Sequence, residues 1–224
     1  MKKLYGWLIA LILLSFVMAG VFLTLAPDRI PAHYDISGNI DRWGSKYEYL
    51  IMPCCTALMG AFLMGMAHRE MKMGRDTNAR TVGVVGIVVL IQFDLMWAVF
   101  MGKAINPETM GQNLSELGGK AFLILLMASL IPLGNVMPKI SRNGALGLRT
   151  KWSMADDVCW QKSQRLGGWL MVATGIAGII LVSLLPIQWA NIGVLVPLFL
   201  DVALSVYGSY RIWKKEQSRV SPEE

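Results

Sequence analysis

Six long stretches of this 224-residue chain carry almost no charge, and this constrains its fold more than any other feature. Leu4–Pro27 has none, nor have Tyr49–Ala67 and Ala121–Pro138. Thr81–Gly102 is interrupted only by Asp94. Leu166–Tyr210 holds one charge, Asp201, and is too long for a single crossing, so Pro186, Gln188 and Asn191 are read as a turn that divides it. About 20 helical residues cross the hydrocarbon of a bilayer. The expected spans are 5–25, 49–67, 81–101, 118–136, 167–186 and 189–210. Backbone groups in lipid must be satisfied within the chain, so each run is a helix. A β-barrel would alternate apolar and polar residues, and these runs do not. The chain is 54% apolar and 16% charged, where a soluble domain has about 45–50% and about 25%. That excludes a soluble domain, a disordered chain and a disulfide scaffold.

The ends and the loops set the topology. Met1-Lys2-Lys3 before an apolar run resembles a signal peptide, but the run is longer than a signal core and lacks a small-x-small ending, so an uncleaved first span is expected. Sixteen Lys and Arg fall on one side of the six spans, and five (Arg29, Arg42, Lys46, Lys103 and Lys120) on the other. The positive-inside rule then puts both termini in the cytoplasm and accounts for the +6 charge without direct nucleic-acid binding. The fold class is an all-α integral membrane protein of six transmembrane helices, with an ordered outer loop after helix 1 and a basic inner loop between helices 4 and 5. The organisation read from the chain is 1–70, 71–117, 118–212 and a tail at 213–224. Three spans per half are compatible with an inverted repeat.

The outer loop, residues 27–46, alternates Ile30, Ala32, Tyr34 and Ile36 before Ser37-Gly38-Asn39, which reads as a hairpin. Trp43, Tyr47 and Tyr49 suit a membrane interface. The inner loop runs from Gly134 to Gly168. Ser153-x-x-Asp156 resembles a capping box, and a short surface helix from Met154 to about Arg165 is expected, anchored by Trp152 and Trp160. Its six basic residues follow from sidedness or serve an acidic lipid headgroup or protein partner.

Few residues suggest chemistry. Cys54, Cys55 and Cys159 show no metal spacing and are read as free buried thiols. His33 and His68 lie at opposite membrane edges and cannot share a metal. The fifteen methionines are read as core filling. With no nucleophile beside a base, no phosphate loop and no ligand cluster, neither an enzyme nor a cofactor or metal is expected. Asp94 and Asp201 fall within spans, where a charge is costly and faces the bundle interior. They read either as a hydrogen-bonded pair assisted by Gln92 or Asn191, or as a proton or cation site. The second option makes the chain a small transporter or channel.

Both loops carry recognisable motifs. Pro27-Asp28-x-Ile30-Pro31-x-His33-Tyr34 and Gly38-x-x-Asp41-Arg42-Trp43-x-x-Lys46 resemble the DUF1648 region. Gly134-Asn135-x-x-Pro138-Lys139, Asn143-x-x-x-Gly147-x-Arg149-Thr150-x-Trp152-Ser153 and Trp160-x-x-x-x-Arg165-x-Gly167-Gly168 resemble the SdpI domain. The order is that of SdpI-type immunity proteins. The resemblance implies a protein of the bacterial cell membrane that protects its cell from a secreted SdpC-type killing peptide. It also implies recruitment of an ArsR-type autorepressor to the membrane. Pro31, His33, Tyr34, Asp41, Arg42 and Trp43 would face the toxin; Asn143, Gly147, Arg149, Trp152, Trp160 and Arg165 would face the partner. Two positions depart from the family pattern: Thr150-Lys151-Trp152-Ser153 replaces Thr-Pro-Trp-Thr, and Ser163-Gln164 replaces Thr-His.

Overall fold

The computed structural model describes residues 1–34, 40–105, 112–144 and 146–220, excepting the side chains of Tyr34, residues 112–118 and Val220. Six helices are long and apolar enough to cross a membrane: α1 Lys2–Leu25, α2 Ile51–Lys72, α3 Asp76–Ile105, α4 Gln112–Val136, α5 Asp157–Leu184 and α6 Ile187–Val220. At about 1.5 Å per residue, the 24 residues of α1 already exceed the hydrocarbon thickness. The chain is a multi-pass membrane protein. An antiparallel hairpin, β1 Arg29–Tyr34 and β2 Ile40–Ser45, follows α1 as the outer loop predicts. Its turn residues 35–39, including Ser37-Gly38-Asn39, lie outside the described residues.

Large apolar side chains face outward as well as inward, and small hydroxyl residues join the apolar ones inside. Leu58, Phe62, Leu184 and Phe199 are exposed, while Ser15, Thr56, Thr174 and Ser209 are buried. Small residues let helices approach closely where lipid provides no hydrophobic drive. Three of these hydroxyls turn back on their own helices: Ser15 donates to the Ile12 carbonyl at 2.8 Å, Thr56 to Met52 at 3.1 Å and Ser209 to Val206 at 2.7 Å. α1, α2 and α3 pack mutually; α5 packs against both α4 and α6; α3 against α4 joins the two trios. The hub is the last helix of the first trio and the middle helix of the second, so the halves are not packed as one repeated unit.

Three expectations are corrected. No separate surface helix covers 154–165, because from Asp157 those residues are the first turns of α5 itself. The turn before α6 is only Leu185–Pro186, with Gln188 and Asn191 already helical, and α6 runs ten residues past the expected end at 210. Of the cysteines only Cys159 is buried; Cys54 and Cys55 are exposed on α2.

Candidate functional site

The hairpin is fastened to one end of the bundle from below. Ile30 enters a core with Phe22, Trp97 and Met101. Tyr49 stacks on Phe22 with ring centroids 4.9 Å apart, and its hydroxyl donates to the Pro31 carbonyl at 3.3 Å. Tyr49 is thus a fastener of the hairpin more than an interface anchor, and Pro31 is buried beneath the surface it was expected to form. Ion pairs brace the sides: Lys46 to Asp28 at 2.9 Å and Arg42 to Glu48 at 2.9 Å. Glu48 also accepts from the Ser45 N–H, completing a capping box. Above this base stand His33, Asp41, Arg42 and Trp43, all exposed, with His33 Nδ1 2.7 Å from Asp41 Oδ1. The Tyr34 side chain lies outside the described residues.

At the opposite end, residues 137–144 and 146–156 form a tightly hydrogen-bonded loop over α5 and α6. Trp160 is 1% exposed and its Nε1 donates to the Ile140 carbonyl at 2.7 Å. It anchors the loop to the protein, not to the membrane. Ser153 does not cap α5. It closes a turn, donating to Leu148 O at 2.7 Å and accepting from Thr150 N at 2.9 Å. Trp152 packs edge-on against Tyr210. Asn143 is buried, holding Leu146 N at 2.8 Å, and Gly147 takes φ +90°, which favours glycine. Asn143, Gly147 and Trp160 therefore build the loop, while Arg149 and Arg165 reach its surface and Trp152 lies between.

Asp156 is the true cap of α5, accepting from Cys159 N at 2.7 Å. That N–H, with Arg142 assisting, holds its carboxyl below the usual carboxylate range. A depressed pKa stabilises the fold above the unfolded carboxylate pKa, and the gain is lost as pH falls through the folded value. Asp156→Ala is expected to cost about 1 kcal/mol, and Asp156→Asn to keep the cap while flattening the acid limb of a melting-temperature profile.

One buried network was not legible in the sequence. Glu70, 5% exposed at the end of α2, accepts from Arg75 Nε at 2.8 Å and from Asn78 Nδ2 at 3.2 Å. Asn78 Oδ1 accepts from both N and Oγ of Ser141 at 2.9 Å. The α2–α3 turn, which passes through Gly74 at φ +70°, is thereby tied to the α4–α5 loop.

Asp94 and Asp201 do not form a pair. α3 packs on α1, α2 and α4, whereas α6 packs on α5 and α4. Asp201 accepts from Ser205 at 3.3 Å and lines a cavity of about 330 Å³ with Thr81, Val85, Leu133 and Leu148. Asp94 does not line it; nine helical residues separate it from Val85, about 13 Å along the axis. It is 5% exposed, and neither carboxyl oxygen has a partner among the described residues. Gln92 instead faces the backbone of Leu125 and Leu126 on α4.

Residues 10–57 match the domain of unknown function DUF1648, and residues 139–209 match the SdpI/YfhL protein family. The chain carries a DUF1648 region followed by an SdpI region. The DUF1648 match takes in most of α1, the hairpin and the start of α2; the SdpI match takes in the loop, α5 and α6 as far as Ser209. No curated protein and no solved structure matches it. Within the SdpI region, Gln164 has a role its sequence position did not reveal. Fully buried, it accepts from Leu148 N and donates to Leu148 O, both at 2.9 Å. The only sequence signal was that an amide stands where the family pattern has His.

Proposed function

We propose that this DUF1648–SdpI protein is an immunity protein of a bacterial cell membrane, protecting the cell that makes it against a secreted SdpC-type killing peptide. The family matches carry this reading, because they coincide with the two ordered ends of the bundle. The toxin meets the exposed strand residues His33, Asp41, Arg42 and Trp43. Fixing the hairpin base by Ile30 and Tyr49 reduces the ordering cost of such an encounter. An ArsR-type repressor, where the cell has one, meets the exposed Arg149 side of the loop at the other end. Toxin binding outside influences that end only if it favours one of two states of the bundle, and the Glu70–Asn78–Ser141 network is one link, beside the packing of α3 on α4, between the trio that carries the hairpin and the loop. The test is expression in a toxin-sensitive bacterium lacking its own immunity gene. Survival of cells carrying the chain, against death of vector controls, is the expected result. Equal killing with the protein verified in the membrane, across SdpC-type peptides, would refute the reading.

A further inference from the structure

Arg75, Lys139, Arg142, Lys162, Arg165 and the carboxylate of Asp157 line a bowl of about 960 Å³ at the loop end of the bundle. Most of these charges are already answered within the protein. Arg75 is held by Glu70, Arg142 by Asp157 at 2.8 Å and Lys162 by Glu216 at 2.7 Å. Lys139 and Arg165 are exposed and have no carboxylate partner among the described residues. The lining of the bowl therefore includes two uncompensated cations.

Below it, a second hollow of about 550 Å³ follows the seam between α4 and α5, lined by Ile131, Pro132, Trp169 and Val172. Pro138 and Arg165 line both hollows. The seam exists because Gly134 and Gly168 cross without side chains: a Cβ on Gly134 would lie 2.6 Å from the Gly168 carbonyl oxygen. Trp169 is 71% exposed, and Ile176, Ile180 and Leu184 continue its exposed face along α5, so the seam opens toward lipid.

We propose that the bowl and seam together bind an anionic glycerophospholipid. Its phosphate sits between Lys139 and Arg165, and an acyl chain lies in the seam against Trp169 and Val172. The guanidinium fork of Arg165 matches two phosphate oxygens. A soluble anion would use the bowl alone and leave the apolar seam without a role; an acidic protein segment would not follow a groove that runs into the bilayer.

The experiment is native mass spectrometry of the full chain released from phosphatidylcholine nanodiscs containing phosphatidylglycerol. The wild type is expected to retain phosphatidylglycerol in preference to phosphatidylcholine, and Lys139→Gln with Arg165→Gln to weaken that retention about fivefold per charge removed. Val172→Trp, which fills the seam, should weaken it as well. Lys214→Gln with Lys215→Gln removes two charges elsewhere on the same end and should change nothing. Equal loss in this control pair, or none in the Lys139/Arg165 variant, would overturn the site. Complete displacement by inorganic phosphate or by a polyglutamate peptide, with no effect of Val172→Trp, would assign the bowl to a soluble anion or an acidic protein segment and overturn the lipid.

Discussion

Trp160→Ala is expected to be the most damaging single substitution in the SdpI region, at about 3–5 kcal/mol. The side chain fills a cluster with Met137 and Ile140 and carries the hydrogen bond that pins the loop to α5. Truncation leaves a cavity and also strands the Ile140 carbonyl, a buried acceptor. Trp160→Phe keeps most of the volume but loses the N–H along with part of the ring, so it should cost about 1–3 kcal/mol. A denaturation series in detergent that ranks alanine well below phenylalanine and phenylalanine below wild type bears this out. A flat series would mean that the loop is held elsewhere.

Arg75→Met follows, at about 3 kcal/mol, because it strands a buried carboxylate. Glu70 would keep only the Asn78 amide, and the tie between the α2–α3 turn and Ser141 would weaken with it. Adding Glu70→Gln should restore much of the loss, since a neutral amide no longer needs a cation. Failure of that second change to rescue would mean that Arg75 acts through packing and not through its charge. Once rescued, the double variant also isolates coupling from stability, because it lacks the ionic part of the link between the ends of the two trios.

The spans were legible because charge is nearly absent from them, and hydrocarbon leaves a backbone no choice but helix. Their ends were less legible. α5 and α6 extend as helix beyond the apolar runs, so hydropathy cannot mark where they begin or stop; Asp156 marks the start of α5 through its side-chain cap instead. The hairpin was legible from alternation around a turn signal. The roles of loop residues were not, because a motif says which residues matter and not which way they face. Pro31, Asn143 and Trp160 belong to the motifs but are buried, so they hold the surfaces up without forming them. Glu70, Asn78 and Gln164 carry no periodic signal at all. Their importance depends on partners up to 63 positions away, a distance local patterns do not cover. Asp94 and Asp201 both lie on span-length helices, yet they stand at different depths: Asp201 shares its cavity with Thr81 and Val85 of α3, and Asp94 is about 13 Å further along that helix.

Membrane potential after peptide challenge tests the account most directly. A toxin-sensitive bacterium would express the wild type, or a variant carrying Arg42→Ala and Trp43→Ala, at matched membrane levels. Arg42→Ala removes the Arg42–Glu48 brace, but Ile30, Tyr49 and the Lys46–Asp28 pair still hold the hairpin base, so the variant should remain folded, which matched membrane levels and an unchanged melting temperature would check. The account predicts that cells with the wild-type protein hold their potential and that cells with the variant lose it as vector controls do. A potential held equally by both would remove the hairpin surface from protection, and collapse in both would contradict immunity itself.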